Sequence, residues 1–285
     1  PWFNDWGRDA MIALPGLTLC TRRFQDARDI LATFAEHTKE GLVPNMFTDG
    51  EEPLYNTVDA SLWFIYAVQK YLAYTKDYAF VKNHLWKTMQ EIICCYRDGT
   101  RYGIGMEQDG LIRAGSSGLQ LTWMDAKVGD WVVTPRQGKP VEVNALWYNA
   151  LMLMSELAVA MNNRDDYGEL AAIAGRSFVD LFWYEEGGYL YDVIEESNKD
   201  PHLRPNQIIA VSLPYSPLPL PKARSVVMRT FEKLYAVYGL RSLSPDDQDF
   251  RGDYGGDQYR RDGAYHQGTV WSWLLGHFVT ACMKV

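Results

Sequence analysis

Along the 285-residue chain, apolar residues recur mostly at spacings of three and four, the period of a buried helix face. The pattern predicts nine helices. They cover residues 9–20 with an internal Pro15, 24–37, 59–74, 80–96, 143–161, 167–182, 206–213, 222–238, and 265 onward. In the second, Phe24, Ala27, Ile30, Leu31 and Phe34 share one face. Two short Gly-flanked patches, 110–113 and 188–193, read as strands of loop hairpins. No alternation of strand and helix suggests a doubly wound sheet.

The order is regular: a long helix, a short link, a second helix, then a long loop. The chemically unusual residues sit in the long loops 1–7, 42–58, 101–141, 194–205 and 243–263. This organisation predicts an all-α fold, a toroid of helical hairpins whose loops build one pocket at one end of the inner helices. A helix bundle or repeat array fits the same period, though no tight internal repeat is present. The chain begins at Pro1 and stops inside an amphipathic run containing Trp271, Trp273, Leu274 and Phe278. It reads as a single helical domain over residues 1–285, truncated at both ends.

Composition narrows the function classes. A formal net charge of −8 without any Lys/Arg run argues against nucleic acid as a partner. Apolar stretches fall short of the roughly 20 residues that span a bilayer, so no membrane association is expected. No signal peptide is visible, and Cys20, Cys94, Cys95 and Cys282 lack metal-ligand spacing. They read as reduced thiols of a cytoplasmic protein. Trp, Tyr and Phe make up 14% of the chain. That fits either a large aromatic core or a carbohydrate site, where ring faces stack on the apolar faces of sugars.

Five clusters carry candidate chemistry. Trp2-Phe3-Asn4-Asp5-Trp6-Gly7-Arg8-Asp9 places an Arg-Asp pair beside two indoles. A guanidinium donates and a carboxylate accepts, so such a pair suits vicinal hydroxyls; Asp9 equally suits a helix cap. Asp59 precedes a helix with Trp63 one turn on, and again could bind a hydroxyl or cap. Asn45 and Asp49 are weaker candidates nearby. In Leu121-Thr122-Trp123-Met124-Asp125-Ala126, flanking Trp and Met would desolvate Asp125 and raise its pKa, as a general acid requires. A turn role is the alternative. Glu142 opens a helix and could face a substrate or simply the helix dipole. Tyr265, His266 and Gln267 share one turn with Trp271, which suits a polyol. His37, His84, His202 and His277 are scattered and suggest no metal. HExxH, GxSxG, P-loop and GxGxxG motifs are absent, so no cofactor is implied.

Six segments in order carry a resemblance: PWFNDWGRDAMIALPGL, TVDASLWF, LTWMDA, PVEVNALWYNAL, RPNQIIAVSLP and RDGAYHQGTVWSWLLG. They resemble the glucosidase domain of glycogen debranching enzymes, the amylo-α-1,6-glucosidase family, related in fold to glucoamylases. The resemblance covers nearly the whole chain. It implies an (α/α)₆ toroid and inverting hydrolysis of the α-1,6-linked glucose stub on trimmed glycogen, limit dextrin or another α-glucan. It implies Asp125 as the acid, Arg8 and Asp9 as the sugar-holding pair, and a lining of Trp6, Asp59, Trp123, Glu142, Tyr265, His266 and Gln267. It places the general base beyond Val285; Asp257 and Asp262 are in-chain substitutes. It also implies an N-terminal partner domain in the same polypeptide. Ala10 stands where relatives usually carry Thr. Two other readings stay open: another toroidal glucosidase, glucoamylase-like or trehalase-like, and a glycan-binding fragment without hydrolytic activity.

Overall fold

The computed structural model describes residues 5–48, 50–115 and 118–285. Trp2, Phe3 and Asn4 of the first cluster, and Asp49, lie outside the described residues.

Two kinds of helix alternate. α3 (Ala60–Thr75) and α6 (Val141–Ala160) are apolar nearly all round and buried on almost every side. A helix apolar on all faces has no solvent side and must be internal. α2 (Phe24–Glu36), α5 (Trp86–Asp98), α7 (Gly168–Phe182) and α9 (Leu220–Lys233) instead bury one stripe each. In α7 the stripe is Ala171, Ala174, Phe178 and Phe182, and Phe178 has no exposed surface. Truncating such a residue to Ala typically costs about 3–5 kcal/mol. This stripe pattern makes them the outer helices.

The inner series runs α1 (Gly7–Leu14), α3, α6, α8 (Gln207–Ser212) and α11 (Leu274–Lys284), each packed on the next. α2 covers α3, α7 covers α6, and α9 covers α8. The inner helices are filled at the centre by aromatic contacts across the ring. Trp63 of α3 lies 5.4 Å, centroid to centroid, from His277 of α11, and Trp273 packs edge-on against the same indole. His277 accepts or donates at Ser212 Oγ, 2.7 Å away, and burial lowers its pKa to about 4. The imidazole at the core is therefore neutral. Trp63, one turn beyond Asp59, is a core residue.

Sequence and structure differ at three helices. Pro15 does not sit inside a continuous α-helix: α1 ends at Leu14 and the chain continues as a π-turn, Pro15–Leu19. Pro has no N–H to complete the preceding ladder. Residues 80–96 form a short α4 (Tyr78–Phe80), a π-turn (Val81–Leu85) and then α5. The helix expected from Tyr265 onward is broken. α10 (Gln258–Ala264) ends before Tyr265, Val270–Trp271 pairs with Leu240–Arg241, and α11 starts only at Leu274. Gly268 is the cause: its φ is +145°, and a Cβ there would meet the Arg251 carbonyl at 2.6 Å.

The two strand patches are present as hairpins. Ile112–Arg113 pairs with Gly105–Met106, and Tyr189–Leu190 pairs with Trp183–Tyr184. A further three-stranded piece joins Lys139–Pro140, Val193–Glu195 and Asn198–Lys199. These elements lie in the loops between the helices.

Candidate active site

α1 with the π-turn after it, the segment carrying Trp123 and Asp125, and the segment between α10 and α11 face one another. There a cavity of about 940 Å³ opens, walled by Trp6, Arg8, Asp9, Trp123, Asp125, Tyr265 and His266. Seven of the ten residues assigned to the site from sequence are thus brought together. The other three, Asp59, Glu142 and Gln267, do not reach the cavity.

Gly7 positions the first wall. Its N–H donates to the Asn45 carbonyl at 2.9 Å, and a Cβ would lie 2.0 Å from the Pro44 carbonyl oxygen. Only a glycine lets the two segments approach so closely. The next residue, Arg8, is buried. Its Nε donates to both oxygens of Asp59 at 2.8 and 2.9 Å, and Nη2 donates to Thr57 Oγ1 at 3.0 Å and the Leu121 carbonyl at 3.3 Å. Thr57 in turn donates to Asp59 at 2.7 Å. Asp59 has no exposed surface. It neither faces the cavity nor caps α3 with its side chain; it anchors the arginine. Burial works against the charge on Arg8, but Asp59 and Asp125 outweigh it and raise its pKa.

Asp125 hangs from the loop that follows Leu121. Its Oδ2 lies 3.7 Å from Arg8 Nη1, and 44% of its side chain is accessible, through the cavity. The group is open to a ligand yet surrounded by protein on its other sides. That burial raises its pKa; Arg8 pulls the other way and is outweighed, while Asp59 adds to the rise. The carboxyl thus favours its protonated form more than an ordinary aspartate does.

Aromatic rings build the rest. The Trp123 indole N–H donates to Asn206 Oδ1 at 2.7 Å, and its ring meets His266, Trp271 and Trp273 edge-on at 5.2–5.4 Å. His266 is fully buried. Burial first, then the neighbouring arginines, lower its pKa to about 3, so the ring is neutral. Its Nδ1 faces the Ala126 backbone N–H at 3.4 Å and therefore acts as the acceptor. Nε2 then carries the proton, and among the described residues it has no hydrogen-bond partner.

The three residues outside the cavity are held by charge. Glu142, in the first turn of α6, is bound by both terminal nitrogens of Arg136, at 2.6 Å through Nη2. Both side chains are almost fully buried. The sequence expectation that Glu142 lines the pocket is corrected: desolvated on all sides, it serves Arg136. Burial works against the charge on Arg136, but Asp192 and Glu142 together outweigh it and raise its pKa above the usual arginine value. Gln267 accepts from Arg204 at 2.9 Å and donates to the Val133 carbonyl at 3.1 Å. It faces a separate small cavity of about 180 Å³, beside Trp131 and Arg251.

Asp257 caps α10 through the Arg260 N–H at 2.9 Å, and Asp262 pairs with Arg261 at 3.1 Å. Neither lines the main cavity. Buried Asn45 donates to Asn56 at 3.3 Å. The cavity is also lined by Asp5 and Trp271, which the candidate clusters contain without a binding role assigned, and by Trp273, Ile12 and Leu17, which lie outside them. Trp271 lies in a strand and Trp273 just before α11, not within the helix expected from Tyr265 onward. Ala10, the departure from the family pattern, also lines the cavity. Among the described residues, one group has spacing suited to a metal ion: His202, Asp247 and Asp249, within 4.8 Å of one another and outside the main cavity.

Comparison with known proteins gives a consistent placement. The amylo-alpha-1,6-glucosidase family matches the chain over residues 1–285. A glycogen debranching enzyme of Saccharomyces cerevisiae is 27% identical over 371 aligned residues, covering 98% of this chain and 24% of that protein. The chain therefore spans about a quarter of that relative's length. Among solved structures, a rhamnosidase from Klebsiella oxytoca with rhamnose bound matches with a TM-score of 0.58 at 17% identity, over 80% of this chain and 41% of that one. A GH78 family rhamnosidase of Bacillus sp. GL1 matches with a TM-score of 0.50 at 17% identity, over 65% of this chain and 18% of the other. These two likenesses concern the fold alone, and they agree with an all-α toroid. Among the described residues, no helix is long and apolar enough to cross a membrane.

Proposed function

The chain belongs to the amylo-alpha-1,6-glucosidase family, and we propose that its cavity holds the terminal glucose of an α-1,6-linked stub on an α-glucan and supports inverting hydrolysis. What carries the reading is Asp125: a carboxyl biased toward its protonated form, open to a ligand, in a pocket of aromatic rings. As general acid it delivers its proton to the glycosidic oxygen as the C–O bond breaks. A water on the opposite face adds to the anomeric carbon, which gives inversion; that step requires a second carboxylate acting as base.

The remaining wall residues suit sugar binding. Arg8 Nη1 and the Asp9 carboxylate present a donor and an acceptor toward one region of the cavity. The neutral, buried His266 ring backs the wall behind Trp123 and Tyr265 rather than offering a free donor. Trp6, Trp123 and Tyr265 supply ring faces and edges for the apolar side of the pyranose. Asp59, Glu142 and Gln267 support this set from outside the cavity.

The test is glucose release by the intact protein from a dextrin carrying single α-1,6 glucosyl stubs, with the anomer followed by proton NMR. The reading expects β-glucose first. Asp125→Asn should lower kcat by at least about 10²-fold. Near-normal turnover in that variant overturns the role of Asp125. Preferential turnover of maltose or trehalose over isomaltose would move the chain to another toroidal glucosidase. Sugar binding without any release would leave a glycan-binding function.

A further inference from the structure

The buried polar groups behind the cavity converge on one carboxylate. Asp192 lies between the strands Tyr189–Leu190 and Val193–Glu195 and is almost fully buried. It accepts from Arg136 Nε at 2.8 Å and Nη2 at 3.1 Å, and from Asn206 Nδ2 at 2.7 Å. Arg204 Nε stands 3.9 Å away, buried and without a hydrogen-bond partner among the described residues.

Two branches lead from Asp192 to the segment that carries Asp125. In one, Asn206 holds the Trp123 indole N–H at 2.7 Å, two residues before Asp125. In the other, Arg204 donates to the His266 carbonyl at 2.8 Å, and the His266 ring meets the Ala126 N–H, one residue after Asp125. The segment is thus gripped on both sides of the carboxyl: the first grip returns to Asp192 by the Asn206 hydrogen bond, the second by the 3.9 Å Arg204–Asp192 ion pair.

Stability is a poor explanation for this arrangement. Arg136, Arg204, Asp192 and Glu142 form two positive and two negative charges away from water. Desolvating each ion costs several kcal/mol, and apolar side chains of similar volume commonly serve as well or better. What apolar packing lacks is direction: hydrogen bonds fix a ring and a backbone in angle as well as distance.

Resting on the reading of the cavity as a hydrolytic site, we propose that Asp192 is a positioning residue that holds the Trp123–Ala126 segment so that Asp125 meets the scissile oxygen. It touches no substrate and acts through Asn206 and Arg204.

Two variants test this. Asp192→Asn keeps the shape and removes the charge; Asn206→Leu cuts the Trp123 branch and leaves every charge in place. For each, kcat per folded molecule should fall about 10–100-fold with KM changed far less, the size expected when a reacting group moves by around 1 Å. The alkaline limb of the pH–rate profile should move to lower pH, because a loosened segment admits water to Asp125. A lower melting temperature with unchanged kcat and unchanged pH profile overturns the proposal and leaves a structural role. Should the intact protein release no glucose, the hydrolytic reading fails separately. The carbon-13 carboxyl resonance of Asp125 then decides: it should titrate at lower pH in both variants, and an unmoved titration refutes the positioning role.

Discussion

Arg8 stands 3.7 Å from the Asp125 carboxylate while its Nε hydrogen-bonds both oxygens of Asp59. The arginine thus shows Asp125 its charge but commits its best hydrogen bonds elsewhere. Burial can then win, and Asp125 titrates above the usual aspartate range despite a cation beside it.

A pH dependence follows. A general acid works when protonated, so activity should fall as pH rises through the pKa of Asp125. Removing the positive charge with Arg8→Gln takes away the influence that lowers this pKa. The alkaline limb of kcat/KM should move to higher pH, alongside a loss of sugar affinity. A limb displaced to lower pH would contradict the assignment.

Asp59→Ala leaves the Arg8 guanidinium buried without its main partner. Both side chains are at most 8% accessible. Breaking a pair of this kind costs about 3–5 kcal/mol, and urea denaturation should report a loss of that size. The paired change Arg8→Met with Asp59→Leu should regain most of the stability and none of the activity. Equal stability loss in the single and paired variants would show that the ion pair is not the cause.

Gly7→Ala tests the close approach at the first wall. A methyl group cannot share space with a carbonyl oxygen 2.0 Å away, so the Arg8 segment must separate from Pro44. Overpacking of this sort costs about 1–3 kcal/mol. Activity should fall with stability, since Arg8 and Asp9 move with the backbone. Wild-type melting and turnover in this variant would place the two segments further apart than described.

His202 adds a second pH effect, on stability. Its hydrogen bond to Asp200 raises its pKa above 6.5; burial and Arg204 oppose, while Asp247 adds to the rise and the Asp249 carboxylate stands 3.9 Å from Nε2. A raised histidine pKa stabilises the fold fully below the unfolded value and ceases to do so as pH rises through the folded one. The melting-temperature difference between wild type and His202→Gln should therefore be largest below about pH 6.5 and shrink above it. Solvent screening keeps the effect to about 1 kcal/mol or less. A difference that grows with pH would reverse the sign of the pairing.

Much of the site was readable in advance, and the reasons differ by residue. Trp6, Arg8, Asp9, Trp123, Asp125, Tyr265 and His266 carry side chains that suit a sugar and resemble a family's segments. Asp59, Glu142 and Gln267 share those features yet fall behind the cavity wall. A carboxylate at a helix start has the same local signature whether it faces a ligand or a buried arginine. Its partner decides, and Arg136 or Arg8 is distant in sequence or turned by tertiary packing.

The helical period by itself determined the all-α architecture, because burial of apolar surface is encoded residue by residue. Only the tertiary structure decided what Gly268 does to the last expected helix, and hence that Trp271 and Trp273 join the pocket. It also decided that Asn206 and Arg204 converge on Asp192. Those outcomes depend on single backbone angles and on charges meeting across loops, and neither leaves a periodic trace in the chain. For Asp125 the flanking Trp and Met suggested desolvation, but its balance against Arg8 rests on a 3.7 Å separation that only folding sets.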